Sequence, residues 1–329
     1  MKTELKTSLP SKKSLLLLTV IAVLSGALGC IIGEIILPVT IVALALIYCL
    51  ESENRVFSYV SSLVLVGINA ITLLFAISSF LYSVQAIALS LIISIAFKKS
   101  YDKANSAYIM TLLCAGLTVA GYSILAMILT KDYSLDGVVA FYNDVVNAIK
   151  TPFADASVEI YGPFFNMVGI EMTPEHAVQI FDYCISMIIS YLFISAFAVV
   201  GISTKLFGIF YARLSGDKNS VKDWRFEVSP VYGFAYVIVV LLTLFAKDPS
   251  SVFSVVVNNL YNIFMVIFAY VGINVIANLL SRKINKFLSA LIPIGACLLA
   301  GSFAVQLLAV VGVFFTVNKN RFNLSKDGQ

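Results

Sequence analysis

Between Arg55 and Lys98 the chain runs for about forty residues without a charged side chain. A helix rises about 1.5 Å per residue, so this run is long enough to cross a hydrocarbon core of about 30 Å twice. Similar runs recur along the chain and do not alternate with period two, which disfavours the strands of a membrane barrel. With 60% hydrophobic and 12% charged residues, the sequence predicts an all-α, polytopic transmembrane helical bundle of about 8–10 membrane segments.

Lysine and arginine are gathered in a few short segments, where they indicate the cytoplasmic face. The basic N-terminus, 97–103, 205–225 and 281–286 are therefore expected inside, whereas 131–180 is rich in acidic residues and is expected outside. This predicts a multi-pass protein of the cell membrane with a cytoplasmic N-terminus and C-terminus. Three parts follow: an N-terminal bundle of about five segments over 1–130, an extracellular amphipathic segment over 131–180, and a C-terminal bundle over 181–329 with a cytoplasmic loop at 205–229.

The last apolar run, between Lys286 and Lys319, is too long for one simple crossing. We expect a terminal hairpin that turns near Gly301 and Ser302, with Pro293 bending its first arm. A single long helix with an external tail is the alternative for 287–317. The segment 15–50 raises the same choice between a hairpin and one long helix.

The outer segment contains two helix signals. In "DGVVAFYNDVVNAIK" the apolar side chains recur at helical spacing, which predicts an amphipathic helix; they are Val138, Phe141, Tyr142, Val145, Val146 and Ile149. In "MTPEHAVQIF", Thr173 is placed as an N-cap and Pro174 in the first turn. The following span is therefore expected to begin outside the hydrocarbon core.

Residues that carry out catalysis or bind metals are scarce. There is one histidine, and the five cysteines lie in apolar runs without paired spacing, so no zinc site is expected. No phosphate-binding loop or nucleophile elbow occurs, and acidic residues are nearly absent from the spans. We expect no cofactor, no metal, no nucleic-acid partner and no catalysis, and we attribute the net charge of +4 to topology.

Uncharged polar residues are concentrated in "VVNNLYNIFMVIFAYVGINVIANLL". A buried amide is costly without a hydrogen bond, so these asparagines should face other helices or a cavity. One interpretation is interhelical hydrogen bonding. The other is a pocket for a small neutral or zwitterionic solute, lined by Asn258, Asn259, Tyr261, Asn262, Asn69 and Gln85.

Small residues form a stripe on the first span: Ala22, Gly26, Gly29 and Gly33. Such a stripe lets another helix approach closely. It is either an internal packing face or a docking face for a partner.

A tryptophan and an arginine precede a proline-led span in "VKDWRFEVSPVYGF", which is typical of an interfacial anchor; the residues are Trp224, Arg225, Phe226 and Pro230. With "VGINVI" and the closing "VQLLAVVGVFFTVNKNRF", the region 180–322 resembles the YybS-like family of bacterial membrane proteins of unknown function. That family is distantly similar to the S components of energy-coupling-factor transporters.

The resemblance implies a solute-binding bundle without its own ATPase, which would dock on a partner membrane subunit or ATPase module through Ala22, Gly26 and Gly29. A structural or assembly factor of the cell envelope is the first alternative. A membrane-embedded enzyme is the second.

Overall fold

A computed structural model describes residues 12–32, 35–51, 55–72, 78–98, 103–167, 169, 171–216, 228–248 and 251–318. Its regular structure over these ranges is helical throughout, with no strand, which confirms the all-α prediction. The helices are α1 (Lys12–Ile32), α2 (Leu37–Leu50), α3 (Val56–Thr72), α4 (Ser78–Lys98), α5 (Lys103–Thr130), α6 (Leu135–Met167), α7 (Pro174–Ser186), α8 (Ile188–Ser215), α9 (Pro230–Thr243), α10 (Val252–Leu280) and α11 (Lys286–Val317).

Six of these helices are long and apolar enough to cross a membrane: α1, α4, α5, α8, α10 and α11. Three shorter apolar helices accompany them, namely α2, α3 and α9. The chain is therefore a polytopic membrane protein. The six long and three short apolar helices together fall within the predicted range of membrane segments. Only the six long helices are each long enough to cross a membrane. Which face each terminus occupies stays a prediction.

The described chain forms two compact units, Met1–Thr151 with Ser195–Arg225 and Pro152–Ile194 with Phe226–Gln329. In the first unit α2 is the central helix, and α1, α3 and α4 pack around it. Leu44, Ala45 and Ile47 of α2 are fully buried. This position explains why α2 is apolar on all sides, because a helix surrounded by protein has no face that water needs to reach. The proposed three-part division of the chain stays a prediction.

The start of α3 is held by a carboxylate that follows the end of α2. Glu51, only 8% exposed, accepts hydrogen bonds from the backbone N–H groups of Phe57 and Ser58, both at 2.8 Å, and from the Ser58 hydroxyl. The first N–H groups of a helix lack partners within the helix, and the helix dipole favours an anion there. Glu51 therefore caps α3 and ties its start to the end of α2.

In the second unit α10 and α11 pack backbone against backbone. A Cβ atom built on Gly272 would overlap the carbonyl group of Leu308, and one on Gly312 would overlap the carbonyl oxygen of Phe268. Only glycine permits this approach, because the obstructing atoms belong to the main chain and cannot rotate away. α9 packs beside both helices, where Gly233 faces Val317.

The last apolar run is broken at Gly301, whose backbone angles are φ 54° and ψ −133°. The break lies at the residue where a turn was predicted, and Pro293 is inside the first arm as expected. The run is thus two helical arms joined at a kink. A return of the second arm to the starting face stays a prediction, as does the topology of 15–50.

The helices predicted within 131–180 are present, and the first of them, α6, extends beyond the amphipathic pattern at 136–150. In the first half of α6, Val138 is buried and Phe141, Tyr142, Val145 and Val146 are half-buried, whereas Asp136, Asn143, Asp144 and Asn147 are exposed. Ile149 departs from the pattern because it is 50% exposed. The Thr173 hydroxyl accepts a hydrogen bond from the His176 backbone N–H at 3.3 Å, which confirms the predicted cap of α7.

Candidate functional site

The polar residues of α10 do not all have the same surroundings. Asn259 is 5% exposed, whereas Asn258, Tyr261 and Asn262 are half-buried. These four lie within the first three turns of the helix, and all belong to the second unit. Their hydrogen-bond partners differ, which distinguishes Asn259, with a structural role, from the other three residues.

Asn259 joins α10 to the junction between α7 and α8. Its side-chain oxygen accepts a hydrogen bond from the Ser190 backbone N–H at 2.8 Å, and its amide nitrogen donates to the Ser186 carbonyl at 2.7 Å. In an unbroken α-helix the N–H of residue 190 would donate to the carbonyl of residue 186. The Asn259 amide is therefore inserted between two backbone groups that one helical turn would normally pair.

The junction itself is a single residue, Met187, with φ −92° and ψ 5°. Met187 is 1% exposed and Ser190 is fully buried. Unpaired backbone groups are costly in an apolar environment, so a broken helix needs replacement partners. Asn259 supplies them, and its amide nitrogen also donates to the Val255 carbonyl of its own helix at 2.8 Å.

A second set of side chains follows on the neighbouring face of α10. Asn258, Tyr261 and Asn262 are spaced i, i+3 and i+4, so they share one face of the helix. Asn258 has no hydrogen-bond partner among the described residues. Asn262 donates to the Met187 sulfur at 3.4 Å, and a thioether is a weak acceptor. Two amides beside the helix break thus retain hydrogen-bonding capacity.

Aromatic rings border this set. The Tyr261 ring stacks on that of Tyr236, with centroids 6.0 Å apart and planes inclined by 28°. Tyr236 also stacks on Phe268 at 5.3 Å, and Phe268 is fully buried. Offset stacking of this kind fixes ring orientation. Tyr261, a half-buried residue, is therefore held in place by its ring contact with Tyr236.

The other two proposed pocket residues belong to the first unit. Gln85 is 2% exposed and its amide nitrogen donates to the Thr118 hydroxyl at 2.6 Å and to the Cys114 carbonyl at 3.5 Å. This geometry supports interhelical hydrogen bonding between α4 and α5. Asn69 lies on α3, and its side chain is outside the described residues. A pocket that combines these two with the α10 residues stays a prediction.

The stripe of small residues on α1 lies inside the first unit. Ala22 is 1% exposed, and a Cβ atom on Gly26 would meet the Leu65 side chain. A Cβ atom on Gly29 would overlap the Tyr82 ring. These positions support the packing interpretation, and a docking role stays a prediction. Gly33 lies outside the described residues.

The proposed interfacial motif is described only at its end. Pro230 occupies the first turn of α9, after Ser229 as the N-cap residue, as the sequence suggested. Trp224, Arg225 and Phe226 lie outside the described residues, so their anchoring role stays a prediction.

Sequence reasoning missed two polar clusters of the first unit. The Thr40 hydroxyl bonds to the hydroxyls of Ser25 at 2.9 Å and Tyr82 at 2.7 Å, all three residues being buried. At the end of α4 the Lys98 ammonium group donates to the Tyr48 carbonyl at 2.6 Å, which satisfies a carbonyl in the last turn of α2. Single serines and threonines in an apolar run carry no spacing signal, and the Lys98–Tyr48 contact joins residues 50 positions apart in sequence, so neither cluster was detectable.

Two carboxylates within 131–180 are held by local hydrogen bonds. The backbone N–H of Ser134 donates to Asp132 at 3.0 Å and lowers the pKa of that carboxyl group. In the first turn of α7, the pKa of Glu175 is lowered by a hydrogen bond from its own backbone N–H and, to a smaller extent, by Thr173. In the ionised form, each carboxylate stabilises the start of the helix beside it.

No group of three or more histidine, cysteine, aspartate or glutamate side chains that could hold a metal occurs among the described residues. The arrangement can therefore bind through amides, hydroxyls and ring faces, and it offers no built metal centre in that part of the chain. In the second unit these polar groups lie beside the break between α7 and α8.

Comparison with known proteins finds no matching curated protein and no matching solved structure. A family model does match, over residues 15–314, and it covers nearly every helix described above. On this match the chain belongs to the DUF2232 family, described as a predicted membrane protein.

Proposed function

We propose that this membrane protein is transport-related and that its second unit binds a small neutral or zwitterionic solute. The binding face consists of Asn258, Tyr261 and Asn262, beside the break between α7 and α8. The single observation that carries the proposal is the half-buried Asn258 amide, which has no hydrogen-bond partner among the described residues. An amide in an apolar environment is costly without a hydrogen bond, and a bound solute would supply that bond.

The helix break supports the same conclusion. Broken helices in membrane proteins are found where the backbone is buried in protein or lines a cavity, and transporter sites are often built from them. Here Asn259 satisfies the Ser186 and Ser190 backbone groups. Its neighbours at positions 258 and 262 are consequently left for a ligand.

The chemistry of the face indicates the class of solute. Amide and hydroxyl groups both donate and accept hydrogen bonds, and no Lys, Arg, Asp or Glu occurs in α10. A solute with a net charge would find no counter-ion on this helix. A neutral or zwitterionic molecule is therefore the better fit.

Active transport would require a partner. The sequence contains no phosphate-binding loop, so the proposal includes a separate ATPase module or membrane subunit. The resemblance to the YybS-like family, and through it to S components, supports such an arrangement.

The test is a thermal-stability screen of the purified protein in detergent, with amino-acid-like and vitamin-like solutes. A ligand at 100 times its dissociation constant stabilises the folded state by about 2.7 kcal/mol. We expect a solute that raises the melting temperature of the wild type and of Asn278→Ala, and that fails to stabilise Asn258→Ala. Asn278 is a suitable control because it lies on the same helix with an exposed side chain.

Two results would contradict the proposal. The first is an unchanged ligand shift in Asn258→Ala, which would place the solute elsewhere. The second is no shift across the panel together with recovery of envelope proteins, which would favour an assembly factor of the cell envelope.

A further inference from the structure

A second surface of the protein is amphipathic and lies outside the long apolar spans. It comprises the second half of α6, residues 152–167, and α7, both in the second unit. The two helices are joined by the Phe153 and Phe181 rings, whose centroids are 5.1 Å apart. This pair is called the α6–α7 platform below.

Each helix of the platform has three distinct faces. In the second half of α6, Ala154, Ser157 and Gly162 are buried against the unit, whereas Asp155 and Glu159 are exposed. Between these faces runs an apolar stripe that is also exposed, with Ile160 at 66%, Phe164 at 64% and Met167 at 84%. These three residues are spaced by four and three positions, so they form one line along the helix.

α7 repeats the arrangement. Ala177 and Phe181 are buried, and Glu175 and Asp182 are exposed. Ile180 and Tyr183 form its exposed apolar side, at 47% and 48%. Large exposed hydrophobic side chains in a line beside an acidic face indicate a surface that meets an apolar phase along one edge and water along the other.

We propose that the α6–α7 platform lies in the headgroup region of the bilayer, with the apolar stripe of Ile160, Phe164 and Met167 and the exposed side of α7 immersed in lipid. Helices of this kind bury their apolar face about 5–10 Å below the headgroups. The occupant of the stripe is thus lipid.

Continuity with α8 supports lipid as the occupant. Only Met187 separates α7 from α8, which is long and apolar enough to span the membrane. Ile188 and Ile189, at the start of α8, are exposed like Ile180 and Tyr183 before them. The lipid-facing surface of the span therefore continues directly onto the platform.

Exposed tyrosines occur on all three of these helices. Tyr161, Tyr183 and Tyr191 are each about half exposed, on α6, α7 and the first turn of α8 respectively. Tyrosine is enriched at membrane interfaces because its ring is apolar and its hydroxyl is polar. Their distribution over three successive helices is what an interfacial layer requires.

Charge disfavours a second copy of the chain as the occupant. No lysine or arginine occurs between 151 and 204, whereas Asp155, Glu159, Glu171, Glu175 and Asp182 all lie there. Two platforms packed by their stripes would bring acidic edges together without basic partners from this region, and like charges across an interface are unfavourable. The same lack of basic residues predicts that lipid contact does not depend on anionic headgroups.

The test introduces one cysteine at a time, carrying an environment-sensitive fluorophore, into a Cys184→Ser background. Cys184 is removed because it is exposed, and the four other native cysteines are kept. Stripe variants are Ile160→Cys and Phe164→Cys, and matched controls on the same helix are Asp155→Cys and Glu159→Cys. The protein is placed in phosphatidylcholine nanodiscs, and quenching by brominated acyl chains is compared with quenching by aqueous iodide. The Cys184→Ser variant without an introduced cysteine measures labelling at the remaining native cysteines.

We expect the stripe labels to be quenched several-fold more by brominated lipid than the controls, with the reverse order for iodide. The same result should hold when anionic lipid is added. Equal iodide access at positions 160, 155 and 159 would place the stripe in water and overturn the proposal. Stripe labels shielded from both quenchers, together with a doubled particle mass, would identify a second copy as the occupant and would also overturn it.

Discussion

Asn259 carries the sharpest stability prediction, because three hydrogen bonds converge on one side chain. Replacement by alanine removes the bonds to Ser190, Ser186 and Val255, at 2.8, 2.7 and 2.8 Å. Hydrogen bonds within membrane proteins average about 0.6 kcal/mol, which places the loss at about 2 kcal/mol. The Ser190 N–H lies in a fully buried residue, and an unsatisfied buried donor costs about 1–3 kcal/mol. We therefore expect Asn259→Ala to lower the free energy of unfolding by about 2–4 kcal/mol.

The adjacent residue is a matched control. Asn258 has the same chemistry and lies on the same helix, but it has no hydrogen-bond partner among the described residues. Without a solute present, Asn258→Ala should change the free energy of unfolding by less than about 0.5 kcal/mol.

The measurement is equilibrium unfolding in mixed micelles of a mild detergent and dodecyl sulfate, followed by helical circular dichroism. Wild type and both variants are compared at the same detergent composition. If Asn258→Ala and Asn259→Ala destabilise the protein equally, Asn259 has no special role at the α7–α8 junction. An Asn259→Ala variant as stable as the wild type would show that the broken helix does not need the bridging amide.

Four further predictions concern other parts of the structure, and each has its own measurement. Gly272→Ala should destabilise the protein by about 1–3 kcal/mol in the same unfolding assay, because the new Cβ would overlap the Leu308 backbone. The control Gly295→Ala should be neutral or stabilising, because the space around Gly295 is open. Ser83→Ala should stabilise the protein by about 1 kcal/mol by thermal unfolding, because the Ser83 hydroxyl is buried without a partner among the described residues. Glu51→Gln should cost about 1–3 kcal/mol, measured likewise, because the carboxylate accepts three hydrogen bonds at the start of α3. The pKa values of Asp132 and Glu175 are lowered in the folded protein. The stability that these carboxylates contribute is therefore present above the unfolded-state pKa and is lost as pH falls through the folded-state pKa. Melting temperatures measured across the acidic range should show a smaller loss in Asp132→Asn than in the wild type.

The helical architecture was predictable because lipid leaves few choices for a backbone. Runs such as 56–97 must hydrogen-bond internally, and their composition alone therefore indicated helices. The α6 pattern and the Thr173 cap were also predictable, since both depend on residues close together in sequence. Features that depend on contacts between residues far apart in sequence could not be predicted.

The α10 asparagines illustrate that limit. In the sequence Asn258 and Asn259 are equivalent, because each is an amide in the same apolar run. Which of them meets Ser186 and Ser190 depends on how α10 is rotated relative to a helix about 70 residues earlier. The break at Met187 was invisible for the same reason, since neither glycine nor proline occupies that position.

The glycine stripe of α1 shows how one sequence pattern supports two functions until packing is known. Small residues at i, i+4 and i+7 allow close approach of a helix, whether that helix is internal or belongs to a partner. Gly29 lies against the Tyr82 ring, and the Tyr82 hydroxyl is bonded to Thr40 in the buried core of the first unit. A substitution at Gly29 would therefore disturb the unit's own polar cluster before any partner was present. Loss of partner recovery in such a variant would be informative about docking only if the isolated protein kept its melting temperature. The α10 and α11 glycines are subject to the same reasoning, because their neighbours are backbone atoms of the same unit.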